Sequence, residues 1–490
     1  MTDPDGEGST AAAHDIVMPA QLRAALSRDW EPAPAMPHPA RPDSAPAAAH
    51  RRARLSVQFP GVLIVVAAGA LRPRANDSHY PFRASSAFTW LTGETVEGAV
   101  LVMTPTPSGH DCALYVREYA PAGDIGYFAS RSHGAVWVGN VPSSADTEAT
   151  LGISTRSLAQ LSRDLDKWAD HDAATLPGHE PDVDRLLPRA EGQRLGEVID
   201  ELRLVKDDWE IARLQDACAA TARGFIDVAR ELPAVLARPD LRGERWLEGT
   251  FWRRARLEGN EVGYTSIVGA GDHATTLHWW RNHGSVLDGQ LLLADMGIET
   301  DELYTADITR TMPVNGVWTA PQRRVYSAVL EAQTAGINEV KAGGDFLGAH
   351  RAAMWVLADH LHSWGLIDVG AEIACGDDLE RPGAGAHRRY TLHSTSHMLG
   401  IDEHDCEMAR DQTYRDGPLG AGNVLTVEPG LYFQRNDRSV PTELRGIGVR
   451  IEDDILVTNG DAVNLSAALP RDPDELTAWM RDAQGSPACP

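Results

Sequence analysis

Residues 291–316 read LLLADMGIETDELYTADITRTMPVNG, and the two aspartates in this stretch frame the fold. Asp295 ends an apolar run suited to a buried strand, where an unpaired carboxylate is strongly disfavoured. Asp307 lies in the next strand-like run, beyond a polar turn at Glu299 to Glu302. A hairpin puts the two carboxylates on neighbouring strands. Buried carboxylates in proximity share a proton or bind a cation. The alternative, with Asp295 capping a turn and Asp307 facing solvent, stands beside this reading.

Three further motifs tip the balance. LHSTSHMLGIDEHD (392–405) holds His393, His397 and His404 among Asp402, Glu403 and Asp405. Neutral imidazole is a common transition-metal ligand, although no HExxH is present. In VLTVEPGLYF (424–433) and GVRIEDDILVT (448–458), Glu428 and Glu452 interrupt apolar strands, where burial disfavours an unpartnered Glu. Arg450 and Glu452 fall on one strand face, Val449 and Ile451 on the other. Asp295, Asp307, His397, Glu428 and Glu452 together supply four carboxylates and one imidazole. That oxygen-rich set suits Mn²⁺, or a pair of divalent ions whose charge cancels the carboxylates.

The rest of the chain sets the limits. It has 490 residues, too long for one ordinary core, with a formal net charge of −25. The acidity argues against nucleic acid and anionic membranes as partners. Five scattered cysteines without a CxxC pair suggest reduced thiols in a cytoplasmic protein. The N-terminus lacks signal-peptide order, and the run from Gly61 to Leu71 is too short to span a bilayer.

Residues 1–50 are Ala/Pro-rich and expected to be flexible. Residues 51–190 read as an α/β domain, with strands at GVLIVVAAG (61–69), AVLVMTP (99–105), CALYVRE (112–118) and AVWVGNV (135–141). The loop-like stretch from His171 to Arg189 marks the boundary. Residues 191–470 read as an α+β domain. Its clearest helix carries Ile211, Leu214, Cys218, Phe225 and Val228 on one face, with Asp207, Asp208 and Glu210 at its start. Further helices are expected from Pro321 and over His350 to Trp364. Strands are expected at Gln290 to Met296, Leu303 to Met312, Val424 to Phe433 and Gly448 to Val457. Residues 471–490 read as a polar tail.

The ordered set Asp, Asp, His, Glu, Glu in these contexts resembles the metal site of the pita-bread metallopeptidases, most of all the aminopeptidase P (Xaa-Pro aminopeptidase) family. YPFRASSAFTWLTG (80–93) resembles that family's N-terminal domain, of the creatinase/prolidase type, and GYTSIVGAGDHATTLHWWRN (263–282) its substrate-side segment. The resemblance implies an N-terminal α/β domain followed by a pita-bread catalytic domain. It implies two divalent ions, Mn²⁺ foremost with Zn²⁺ and Co²⁺ as alternatives, held by Asp295, Asp307, His397, Glu428 and Glu452. Glu428 is implied as proton carrier, with His404 near the scissile carbonyl and His278 as a further catalytic group. Tyr264, His278, His393, His404, Tyr432 and Arg450 are implied around the substrate, and Trp137 as a residue reaching a neighbouring subunit. The implied reaction removes the N-terminal residue from peptides with proline second, using hydroxide generated between the two ions. A homodimer or homotetramer is implied as well.

Prolidase, which cleaves Xaa-Pro dipeptides, is the nearest rival. Methionine aminopeptidase, creatinase and a non-catalytic module on the same fold fit less well. Three features depart from the pattern: the N-terminal extension, the Gly-rich segment Ile373 to Arg389, and Asp272-His273 with Trp279-Trp280.

Overall fold

A five-stranded sheet with helices around it builds the core of the N-terminal part of the chain. The computed structural model describes residues 18–31, 38–40, 43–76, 78–130, 133–412 and 414–485. The chain divides into two compact units, Met1–Glu191 and Gly192–Pro490.

In the N-terminal unit, α1 (Ser44–Gln58) precedes β1 (Leu63–Ala67), whose five side chains are all buried. A continuous apolar strand of this kind is covered on both faces. β2 (Val100–Thr106) and β3 (Gly109–Val116) form an antiparallel pair beside it. β4 (Ser154–Ser157) and β5 (Ala173–Thr175) add parallel at the two edges, giving the order β4-β3-β2-β1-β5.

Three sequence expectations fail here. AVWVGNV contributes a helical turn, Ala135–Val138, between Gly134 and Gly139, and Gly139 ends it with a positive φ of 87°. A short apolar run alone does not separate the two states. The stretch from His171 to Arg189 is no simple loop, since it holds β5 and the helix Pro181–Leu186. The extension ends before residue 50: α1 begins at Ser44 and buries Ser44, Ala48 and Leu55. Residues 1–17 of that extension lie outside the described residues.

In the second unit, α2 (Asp208–Leu236) opens with a reciprocal cap. Asp207 accepts from the Glu210 N–H at 2.9 Å, and Glu210 accepts from the Asp207 N–H at 3.0 Å. Leu214, Cys218, Phe225 and Val228 are buried as the periodicity requires, while Ile211 is half-buried. α3 (Gly243–Glu258) follows, then an antiparallel sheet of β6 (Ile267–Ala270), β7 (Leu291–Met296) and β8 (Ile308–Pro313) with β7 central. Asp295 faces Ile267 on one neighbour and Thr309 on the other. α4 (Ala320–Glu339) starts at Thr319 and Pro321, and α5 (Gly348–Ser363) follows.

The last two expected strands are each broken at a glutamate. β9 (Val424–Val427) and β10 (Gly430–Tyr432) are separated by Glu428 and Pro429, which has no N–H to give a ladder. β11 (Gly448–Arg450) and β12 (Asp453–Leu456) are separated by Ile451 and Glu452, whose N–H donates to the Thr309 carbonyl at 3.2 Å. β9 pairs with β12 and β10 with β11, both antiparallel, so the two breaks fall side by side. The run from Leu303 also starts late as a strand, at Ile308, leaving Asp307 just outside it.

Residues 473–485 are not a polar tail. They form α6 (Pro473–Gly485), which buries Leu476 and Met480 in the main core of this unit. The alternation of apolar and charged residues is amphipathic, and its polar half gave the segment its tail-like composition. Among the described residues no helix is long and apolar enough to cross a membrane, and Cys112, Cys218, Cys375 and Cys406 are free.

Candidate metal centre

The strand ends and breaks converge on one buried cluster. Asp307, His397 and Glu452 each bring a ligand atom within 4.8 Å of the others. The Tyr264 hydroxyl joins Asp295 to this group, lying 2.7 Å from Asp295 Oδ1 and 2.6 Å from Asp307 Oδ1. One hydroxyl proton serves one carboxylate at a time, so the second oxygen is left to a proton or a cation. Glu428 Oε1 stands 3.7 Å from His397 Nε2. The His397 Nδ1 edge faces the Met398 carbonyl at 3.1 Å, which directs Nε2 to Asp307 at 3.3 Å and to the cluster.

The charges do not balance within the protein. Three buried carboxylates, Asp295, Asp307 and Glu452, and the partly buried Glu428 face one fixed cation, Arg450, which pairs with Asp295 Oδ2. Burial raises Asp295, Glu428 and Glu452, Glu428 to about 7, and the neighbouring carboxylates add to each rise. Burial would also raise Asp307, but the His397 hydrogen bond and charge bring it below its ordinary value. Burial alone would lower His397; the Asp307 hydrogen bond and charge carry it up to about 9. An excess of buried carboxylate with one imidazole is the donor set that divalent ions fit.

Substrate-side groups surround the cluster. Arg450 Nη1 donates to the Tyr432 hydroxyl at 3.0 Å, which lies 2.9 Å from His393 Nε2. His393 Nδ1 is 2.8 Å from the Ser394 carbonyl and 3.5 Å from Glu428 Oε2. With its Nδ1–H turned to that carbonyl, His393 accepts from Tyr432 through Nε2. Burial and the Arg450 charge hold His393 at about 3, so the ring is neutral, while burial pushes Tyr432 to about 12. His404 stacks on His397 with ring centroids 4.1 Å apart, and half of its side chain is exposed.

Two implied residues stand apart from this contact network. His278 is exposed and reaches the cluster only through its charge on His393. Trp137 belongs to the N-terminal unit, where its indole N–H donates to the Phe128 carbonyl at 2.9 Å.

Sequence reasoning missed Thr309, Glu403 and Asp454. The Thr309 hydroxyl accepts from Arg450 Nε at 3.1 Å and donates to Glu452 at 2.6 Å, locking cation to ligand. Glu403 is raised to about 8 by burial and by the charge of Asp307. Asp454 accepts from the Asp307 N–H at 3.2 Å and is raised well above the usual range by burial. Glu403 stood in the His-rich motif without a role, and Asp454 was one of a pair of acids after Glu452; a Thr in a strand carries no signal.

Residues 212–459 match metallopeptidase family M24, and residues 48–176 match the aminopeptidase P N-terminal domain. The chain belongs to metallopeptidase family M24. An M24 relative from Streptomyces coelicolor, Xaa-Pro aminopeptidase 2, is 46% identical over 441 residues, covering 89% of this chain and 91% of its own. Xaa-Pro aminopeptidase of Escherichia coli is 32% identical, covering 88% of this chain and 96% of its own. Among solved structures, a substrate complex of a variant E. coli aminopeptidase P superposes with a TM-score of 0.78 at 28% identity, covering 90% of this chain and 99% of that one. The M24 unit therefore has the pita-bread fold, and the chain is a metallopeptidase whose family uses divalent metal ions.

The metal-free M24 centre makes a pH prediction. Glu428 and His397 both have folded values above their unfolded ones, 4.5 and 6.5. Their stabilising contributions are complete below those unfolded values. They are lost as pH rises through about 7 for Glu428 and about 9 for His397. The Tm of chelator-treated protein is expected to fall between about pH 5 and pH 9, and saturating divalent metal to flatten that fall. Calorimetry on both forms checks it; a metal-free Tm that stays level or rises over this range contradicts the assignment.

Proposed function

We propose that this chain is an Xaa-Pro aminopeptidase, hydrolysing the first peptide bond of peptides whose second residue is proline. The buried cluster of Asp295, Asp307, His397, Glu428 and Glu452, bordered by a neutral His393 held on Tyr432 and Arg450, carries this reading. The names of the relatives agree with it.

These five residues hold two divalent ions, Mn²⁺ foremost, because oxygen donors dominate. Bound there, the ions supply Lewis acidity towards water and the peptide carbonyl. Glu428, whose Oε2 stands 3.5 Å from His393 Nδ1 and whose Oε1 stands 3.7 Å from His397 Nε2, takes a proton from the attacking water and returns it to the leaving nitrogen. His404, half exposed and stacked on His397, stabilises the carbonyl oxygen as it gains charge; its place beside the cluster supports that role. Arg450, tied to Asp295 and Thr309, fixes Tyr432 and through it His393, so the pocket wall keeps one set of donors. The proline ring restricts the backbone on both sides of its nitrogen, and a wall of His278, His393 and Tyr432 shaped to it selects for it.

Association of copies belongs to the same reading, supported by the consecutive exposed side chains Val136, Trp137 and Val138. So does a cytoplasmic location, supported by the free cysteines.

Purified protein, stripped with chelator and reloaded with Mn²⁺, Zn²⁺ or Co²⁺, is expected to release the first residue from Xaa-Pro-Xaa peptides. Chelator alone should abolish the activity. Cleavage of Xaa-Pro dipeptides only would turn the assignment to prolidase, and no cleavage with any metal would refute it.

A further inference from the structure

The segment that carries His278 is gathered onto a single buried carboxylate. Glu244, in the first turn of α3, is fully buried. Its Oε1 accepts from the Ala270 N–H at 2.9 Å and lies 2.7 Å from His273 Nδ1. Its Oε2 accepts from the Trp279 indole N–H at 2.9 Å and from the Gly284 N–H at 2.6 Å. All four partners come from residues 270–284, the connection between β6 and β7. A carboxylate with two partners on each oxygen is fully used, and such charge-assisted bonds are stronger than neutral ones.

The rings close around it. Trp279 stacks against both His273 and His283, with centroids 3.9 Å and 5.1 Å away, and the two histidine rings stand 5.9 Å from each other. Gly284 is required by this packing, since a Cβ there would stand 2.7 Å from the His273 ring and 2.8 Å from Glu244 Oε1. On the far side Asp272 pairs with Arg435, and Gln434 donates to the Thr275 carbonyl at 2.7 Å. Leu277 and Trp279, the two neighbours of His278, pack on a group that includes Ile267 and Tyr432. His278 itself is exposed between these anchors.

We infer that Glu244 is a positioning residue: by binding both ends of the 270–284 connection and the Trp279 ring, it sets where His278 stands between Leu277 and Trp279, within reach of His393 through its charge. This rests on the proposed function, in which His278 lines the substrate pocket.

Glu244→Gln tests it with little change of shape. Whichever way the amide turns, its NH₂ meets fixed donors, the Ala270 N–H in one orientation and those of Trp279 and Gly284 in the other, and the connection must shift. KM for an Xaa-Pro-Xaa peptide is expected to rise about tenfold, with kcat changed less than about threefold and metal content unchanged. In a His278→Ala background the same substitution should add almost nothing to KM, since coupled residues are not additive. Equal effects with and without His278, or a lowered Tm at unchanged KM, would overturn the inference.

Trp279→Phe removes one donor and keeps the ring; it should give a smaller rise with the same dependence on His278. It carries the cycle if Glu244→Gln does not fold. A substrate-free readout separates this inference from the functional one. Diethyl pyrocarbonate should modify His278 at a rate changed severalfold by Glu244→Gln or by Trp279→Phe, read by mass spectrometry. An unchanged rate overturns the role of Glu244 even if no peptide is cleaved; a wild-type chain that cleaves nothing refutes only the proposed activity.

Discussion

Replacing Glu428 by Gln should lower kcat/KM for an Xaa-Pro-Xaa peptide by about 10²–10⁴-fold, the usual contribution of a general base. The swap keeps size and shape. The backbone bond from Glu428 N–H to the Thr395 carbonyl, at 2.9 Å, is untouched, so the turn after β9 should survive. What disappears is the one carboxylate of the cluster that faces both His393 and His397, and with it the group that can accept a proton and give it up. Three carboxylates and His397 remain, so metal should still bind, more weakly, and the assay belongs at saturating metal. The variant chain should fold, load metal and bind substrate, yet turn over slowly. Rates within a few-fold of the unmodified chain would remove Glu428 from the proton path.

The second large effect is on stability. Asp405→Ala should cost about 3–5 kcal/mol, as expected when a buried ion-pair partner is removed. Asp405 is buried and accepts from Arg203, from Lys206 Nζ at 2.8 Å and from the Cys406 thiol at 2.9 Å. Lys206 would be stranded in a buried position; Arg203 would retain Asp402 at 2.9 Å. Burial pushes the Asp405 carboxyl up, but Arg203 and Lys206 outweigh it and hold the group at about 2. Because this folded value is depressed, its stabilisation is present above the ordinary value of 3.8 and lost as pH falls through about 2. Chemical denaturation at neutral pH, followed by circular dichroism, measures the loss directly. Asp405 closes the turn that presents His404, so the surviving folded fraction should also have a looser stack on His397. A denaturation midpoint equal to that of the unmodified chain would show that the cluster does not clamp this turn.

What sequence alone could reveal depended on cost. Asp295, Glu428 and Glu452 were legible because a carboxylate inside an apolar strand is expensive, and the expense calls for a partner. The helix from Asp208 was legible because its apolar period and its capping acids agree. The break after Arg450 was not, since a strand that stops for two residues has the same composition as one that continues; the break after Val427 had a signal in Pro429, which cannot donate to a ladder. Thr309 was invisible for the opposite reason: a threonine in a strand costs nothing, and only the fold brings it between Arg450 and Glu452. AVWVGNV misled because four apolar residues fit a strand and a helical turn alike. α6 misled because half of an amphipathic helix is polar, and composition averages over both halves.

Arg310 ties the centre to a late part of the chain. This fully buried guanidinium binds the Asp453 carboxylate and the Glu452 carbonyl, each at 2.7 Å, and the carbonyls of Leu469 and Pro470 at 2.7 and 3.1 Å. During synthesis Asp295 and Asp307 emerge well before the residues that neutralise and enclose them. Until Glu452 and the 469–470 turn arrive, these aspartates have neither their full donor set nor the wall that keeps water out. On the proposed metal set, capture of the ions would therefore be a late event on the ribosome, or one that follows release, whereas the N-terminal unit has all its described strands by residue 175 and is free to fold first. A cell short of metal would then accumulate chains with a finished first half and an unfinished second, which makes the second unit the natural point of attack for quality-control proteases.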